Sequence, residues 1–200
     1  MSKTLSKGSI TLITIGIVIL ILIGGTLTTY NGLVSKDEAA STAWSNLQAQ
    51  YQRRADLVPN LVNTVKGYAK HESETFENVV AARAKATQLS VDADNLTPER
   101  ARQILQAQGD LSTALGKLMA ISESYPELKA SENFSELQAQ LEGTENRIAE
   151  SRRLYNESVQ TFNTAVRHFP ANIVAGIFGF EKKSKFEAQE SAANAPQVEF

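Results

Sequence analysis

From Lys36 to Leu89, apolar residues return at alternating three- and four-residue steps: Ala40, Trp44, Leu47, Tyr51, Val58, Leu61, Val65 and Tyr68, then Phe76 and Val79 or Val80. This spacing keeps one stripe on one face of an α-helix and predicts a long helix over 36–89. Pro59 interrupts it, deleting the hydrogen bond to the Ala55 carbonyl and clashing there. The proline sits beside core positions rather than in a cluster of turn residues, so a kinked but continuous helix is expected. Ser90 to Pro98 is a polar loop that ends in a helix start, in which Thr97 caps and Pro98 takes the first helical position. The second helix, 98–123, carries Ile104, Leu105, Leu111, Leu115, Leu118 and Met119. Pro126 opens a third that runs to about His168, with Phe134, Leu137, Leu141, Ile148, Tyr155, Val159, Phe162 and Val166 at helical spacing; Phe169-Pro170 ends it. The apolar piece Ala171 to Phe180 is too short to cross a membrane and is expected as a short helix and turn packed back on the others. No strand pattern occurs, so the fold class is an all-α antiparallel bundle.

The N-terminus has a different pattern. No charge lies between Lys7 and Lys36, and Ile10 to Leu27 is almost wholly apolar, close to the ~20 residues of a membrane-spanning helix. Lys3 and Lys7 also fit a signal peptide. The apolar run is longer than the usual ~7–15 residue core and lacks an A-x-A site, which favours an uncleaved anchor. With no cysteine after the run, a bacterial-type lipoprotein is excluded. Lys3 and Lys7 precede the span, while Asp37 and Glu38 follow Lys36 directly, so the positive-inside rule puts the N-terminus in the cytoplasm and the bundle outside it. The organisation is then a tail at 1–9, an anchor at 10–29, a bundle at 36–186 and a mobile polar tail at 187–200.

Composition narrows the function classes. A chain of 200 residues, 42% hydrophobic and 21% charged, suits one domain with a real core. A net charge of −2 leaves no basic footprint for a nucleic-acid partner. The absence of cysteine removes disulfides, thiolate metal sites and cysteine nucleophiles together.

Three runs carry a specific likeness: DLVPNLVNTVKGYAKHE (56–72), the stretch from Tyr125 to Pro170, and GIFGFEKKSKFEA (176–188). With the anchor, they resemble the LemA family of bacterial membrane proteins over essentially the whole chain. The resemblance implies a membrane-anchored helical bundle in the bacterial cytoplasmic membrane. It implies no reaction, no cofactor and no catalytic residues.

The residues themselves offer few reactive groups. His71-Glu72 starts an H-E-x-x-H pattern, but Thr75 stands where the second histidine would be, and zinc needs about three protein ligands. Glu142, Glu145 and Glu150 alternate with Arg147, Arg152 and Arg153, as on a solvated helix face. Gly16, Gly24 and Gly25 give the span a weak small-residue pairing signal without a true G-x-x-x-G. Heptad spacing from Ala40 through Leu47 places Arg54 and Leu61 in the packed stripe and turns Arg53 away. Arg54 is expected to lay its stem on apolar neighbours and pair with a carboxylate, marking register, while Pro59 marks the bend.

A helix over 36–89 would be ~80 Å long against ~40 Å for 98–123, which leaves the membrane-proximal half uncovered. Ala40, Trp44, Leu47 and Tyr51 would then form a partner or homo-oligomer interface, unless the 171–186 segment or another protein covers them. The expected function is a self-associating interaction or scaffold protein of the bacterial envelope, touching membrane lipid through its N-terminal helix, with another envelope protein as a further candidate partner. The alternative is a small-ligand-binding sensory module on a membrane anchor, for which no output domain is visible. An enzyme has least support.

Overall fold

The structure, a computed structural model, describes residues 7–89 and 91–186; the polar tail expected at 187–200 lies outside them, as do residues 1–6. The described residues are all helical or irregular, without a strand. Helix α1 (Lys7–Tyr68) runs without a break from the apolar span into the bundle. At 1.5 Å per residue it is about 90 Å long. Its first part, Leu12 to Leu27, exposes large apolar side chains. From Leu33 onward one stripe is buried, and the heptad set Leu33, Ala40, Leu47, Arg54 and Leu61 is 0–2% exposed throughout. Thus anchor and bundle share one helix.

Helix α1 ends at Tyr68, and the chain reverses at 69–72 into α2 (Ser73–Gln88). This corrects the single helix expected over 36–89. Phe76 and Val79 join Leu57, Leu61 and Val65 in one cluster because α2 folds back. The reversal has neither proline nor a side-chain cap, and the apolar phase carries across it. Helix α3 (Pro98–Ala120) begins as expected, with the Thr97 hydroxyl accepting from the Arg100 amide at 3.3 Å and proline in the first turn. After a 3₁₀ turn over Ile121–Ser124, the expected third helix is divided into α4 (Pro126–Lys129) and α5 (Glu132–Ala165).

Helix α5 buries a heptad row of its own, Phe134, Leu141, Ile148, Tyr155 and Phe162. It packs antiparallel to α1, with Trp44 against Tyr155 and Arg54 against Glu145, so steps along α1 are matched by equal steps back along α5. Helix α6 (Ala171–Phe178) turns off at Gly179, whose φ of 77° is the left-handed conformation glycine adopts without strain. It packs through Val174 and Ala175 onto Leu33, Phe162 and Val166.

Candidate functional site

The membrane-proximal stripe is not open. Ala40, Trp44, Leu47 and Tyr51 are buried by the chain itself, together with Ala93, Leu96, Ile104, Ile148, Tyr155, Val159 and Phe186. The expected uncovered face is therefore corrected. Besides α3, two segments between and after the long helices do the covering: 91–97, which holds a 3₁₀ turn over Ala93–Asn95, and the irregular 181–186, which belongs to the region named as an alternative cover. Helix length alone missed them.

Side chains of α1 and α5 bond backbone groups of these segments that no ladder with a neighbouring helix would pair. Trp44 Nε1 and Gln48 Nε2 both donate to the Val91 carbonyl at 2.8 Å. Along α5, Asn163 accepts from the Lys183 amide at 2.9 Å and donates to the Lys183 carbonyl at 2.8 Å. Asn156 does the same with Phe186, both bonds at 2.9 Å. The two asparagines are two helical turns apart, about 10 Å along the axis. Three extended residues also cover about 10 Å, so the spacing of Lys183 and Phe186 matches that of their asparagines.

Between them the Tyr155 hydroxyl donates to the Ser184 carbonyl at 2.9 Å. Phe186 then closes an aromatic triad with Trp44 and Tyr155, ring centroids 5.4–5.6 Å apart. Burial pushes the Tyr155 pKa up to about 12. Lys183, itself nearly buried, pairs with Asp94 at 2.7 Å and Asp37 at 2.9 Å. Burial acts against its charge, yet the hydrogen bonds to the two carboxylates leave its pKa raised.

Deeper along the same seam, Arg54 is 2% exposed and its Nη1 lies 2.5 Å from Glu145 Oε1. Its Nη2 donates to the Gln108 carbonyl at 3.1 Å and to the Gln108 side-chain oxygen. The arginine thus ties α1 to α5 and α3 at once. Arg53, next in sequence, is exposed. Tyr51 packs its ring against the Arg54 guanidinium, 5.9 Å from the ring centre. Burial raises the Tyr51 pKa, opposed by the Arg152 and Arg54 charges. A cavity of ≈ 60 Å³ adjoins this seam, lined by Trp44, Gln48, Tyr51, Ile104 and Gln108 among others. It has room for a few waters and is far below the ~300–1,000 Å³ of a small-molecule site.

Pro59 lies within α1 on its exposed side. The Ala55 carbonyl that it frees accepts from Arg83 Nε of α2 at 2.8 Å, so the gap in one helix becomes a docking point for another. The alternating charges of α5 divide: Arg153 pairs with Glu150 and Glu157 on the surface, whereas Glu145, expected there too, serves the buried arginine. His71 is exposed in the reversal, and Glu72 accepts from the Tyr125 hydroxyl at 3.3 Å. Among the described residues, no group of three or more histidines and carboxylates is placed to hold a metal. Gly16, Gly24 and Gly25 face open space along the span.

The sequence reading missed Gln108, Asn156, Asn163, Lys183 and Arg83 as fixing residues. Asn156 and Asn163 did leave a trace, since asparagine is unfavourable inside a helix unless its amide is used.

Over residues 43–200 the chain matches the model of the LemA family. The chain belongs to the LemA family. The match begins beside Trp44 and takes in the triad, the Arg54 seam and both covering segments. Among LemA relatives, the magnetosome protein MamQ of Magnetospirillum gryphiswaldense is 27% identical over 186 residues, covering 84% of this chain and 68% of its own. Magnetosome protein MamQ 2 of Paramagnetospirillum magneticum is 26% identical over the same shares. Protein LemA of Metamycoplasma hominis is 26% identical over 179 residues, 90% of this chain and 76% of its own. None of these names denotes a reaction. As a LemA protein, the chain is a bacterial, membrane-anchored helical bundle with one helix, among the described residues, long and apolar enough to cross a membrane.

Proposed function

We propose that this LemA-family chain is an interaction scaffold of the bacterial envelope that self-associates in the membrane. The observation that carries this reading is the unbroken α1: one helix both crosses the bilayer and forms the bundle core, so the bundle is displayed at a fixed height above the membrane. The polar groups between the helices support it, because buried Arg54 and partly buried Glu145, Gln108, Asn156 and Asn163 bond one another or backbone and hold register. Relatives whose printed names call them magnetosome proteins, without naming a reaction, are in keeping with it. Confinement to two dimensions raises the effective concentration of identical bundles. Leu154, exposed on the second half of α5, offers an apolar contact.

The ligand-sensing alternative draws on an open groove of ≈ 370 Å³ between α2 and α3, lined by Thr75, Asn78, Asp110 and Lys117 among others. Its polar, surface-lying character favours it less. Full-length Leu154→Cys, oxidised mildly in membranes, should form a disulfide-linked dimer. Absence of dimer there, at Arg53→Cys and at Val80→Cys would refute self-association, and a ligand-dependent thermal shift would favour the groove. The bundle is placed outside the cytoplasm on the charge bias around the span, which an impermeant maleimide on intact cells checks at the same cysteines.

A further inference from the structure

Where α1 leaves its apolar stretch, the bundle carries a second apolar surface. Helix α6 turns Val174 and Ala175 inward, and Phe169 just before it together with its own Ile173, Ile177 and Phe178 are exposed by 81, 53, 71 and 52%. Beyond α1's span, the other exposed large apolar side chains among the described residues are Tyr68, Val80 and Leu154, which are scattered. The exposure is therefore concentrated at one place.

That place lies level with the end of the span. The Phe178 ring is 4.8 Å from Tyr30, and Phe180 is 5.7 Å from it. Tyr30 follows Leu27, the last exposed large apolar residue of the span, by about 5 Å of helix rise. A span of ~20 residues starting near Ile10 ends at about Thr29. Tyr30, Phe178 and Phe180 thus gather aromatic rings where the hydrocarbon gives way to headgroups, the depth such rings favour. Arg167, His168 and Lys182 are exposed beside α6, with Glu181 as the opposing charge.

We propose that α6 and Phe169 lie in the surface of the same bilayer that α1 crosses, with Phe169, Ile173, Ile177 and Phe178 entering the boundary between headgroups and acyl chains. The occupant of this face is phospholipid, and continuity with the membrane span identifies it. The bundle is then seated by two contacts, which fixes its tilt and rotation about α1. Asn172 and Gly176 share the outer side of α6 with Ile173 and Ile177, consistent with a shallow interfacial position.

The test uses the full chain in phosphatidylcholine–phosphatidylglycerol vesicles, with an environment-sensitive fluorophore on Ile177→Cys, on Phe169→Cys or, as control, on Val80→Cys of α2. Brominated lipid should quench the first two and leave Val80→Cys unaffected, while aqueous iodide should quench the first two several-fold less than the control. An Ile173→Asp/Ile177→Asp pair should abolish lipid quenching at Phe169→Cys while the helical circular dichroism stays unchanged. If iodide reaches Ile177→Cys as readily as Val80→Cys, the proposal is overturned. Shielding from both quenchers would mean that protein covers α6, which overturns it equally.

Discussion

The distal and membrane-proximal halves of the bundle are closed by different means. In the distal half, Leu57, Leu61, Val65, Phe76, Val79, Leu111, Leu115, Leu118 and Phe134 meet helix on helix in an apolar core. In the proximal half, α1 and α5 also meet and α3 adds Ala101 and Ile104, but the rest of the cover comes from the 3₁₀-containing segment 91–97 and the irregular segment 181–186. Irregular chain brings amides and carbonyls that must be paired, and Trp44, Gln48, Tyr155, Asn156 and Asn163 supply the partners. The distal half needs shape; the proximal half needs shape and specific polar matching.

Arg54 sits at the boundary between the halves, and its pair should give the largest effect. Glu145→Ala leaves a buried cation without its carboxylate and should cost about 3–5 kcal/mol. Arg54→Met keeps the apolar stem, and the stranded Glu145 is exposed enough to be hydrated, so it should cost less than about 2 kcal/mol. Denaturant titrations of both variants check the order; equal costs would contradict an uncompensated buried charge.

Next come the asparagines. Asn156→Ala or Asn163→Ala should each cost about 1–3 kcal/mol by leaving Phe186 or Lys183 backbone groups unpaired. Trp44 fluorescence, reporting the triad, should change while amide protection in α2 and α3 holds. Collapse of both halves together would show that they are one cooperative unit.

A smaller effect should appear in the distal half at Pro59. Arg83→Ala strands the Ala55 carbonyl and should cost about 1–2 kcal/mol, whereas in a Pro59→Ala background the restored helical amide takes that carbonyl and the cost should fall by about half or more. A double-mutant cycle by thermal unfolding measures the coupling, and simple additivity would deny it.

The smallest signal is the alkaline limb of stability. Tyr155 has its pKa raised from 10.0 to about 12, so the folded state favours the protonated phenol. Its contribution is whole below pH 10 and is lost as pH rises toward 12. The raised pKa of Lys183 works in the same direction, being lost as that lysine deprotonates. The proximal half should loosen first, seen as a fall in Tm and a change in Trp44 emission above pH 10. Tyr155→Phe should flatten part of that limb.

The sequence made the helical half of this contrast legible. The heptad run through Leu47, Arg54 and Leu61 placed Arg54 inside and Arg53 outside, and Thr97-Pro98 marked the start of α3. Both rest on periodicity and local capping, which a single chain displays. The reversal at 69–72 was hidden because the apolar phase continues through it and no cap or proline marks it. The cover at 181–186 was hidden for a different reason. An extended segment bound by side-chain amides has no period, and its partners, Asn156 and Asn163, lie far away in sequence. Missing that cover produced the expectation of a bare stripe at Ala40, Trp44, Leu47 and Tyr51.

Amide hydrogen exchange at Lys183 and Phe186, residue by residue on the full chain in bilayers, tests the central contrast most directly. Both amides are held by asparagine side chains outside any helix, so they should be protected to a degree approaching α5. Protection at Phe186 should vanish in Asn156→Ala and that at Lys183 in Asn163→Ala. Exchange at the rate of an open loop in the parent chain would contradict the account, because the proximal stripe would then lack its cover.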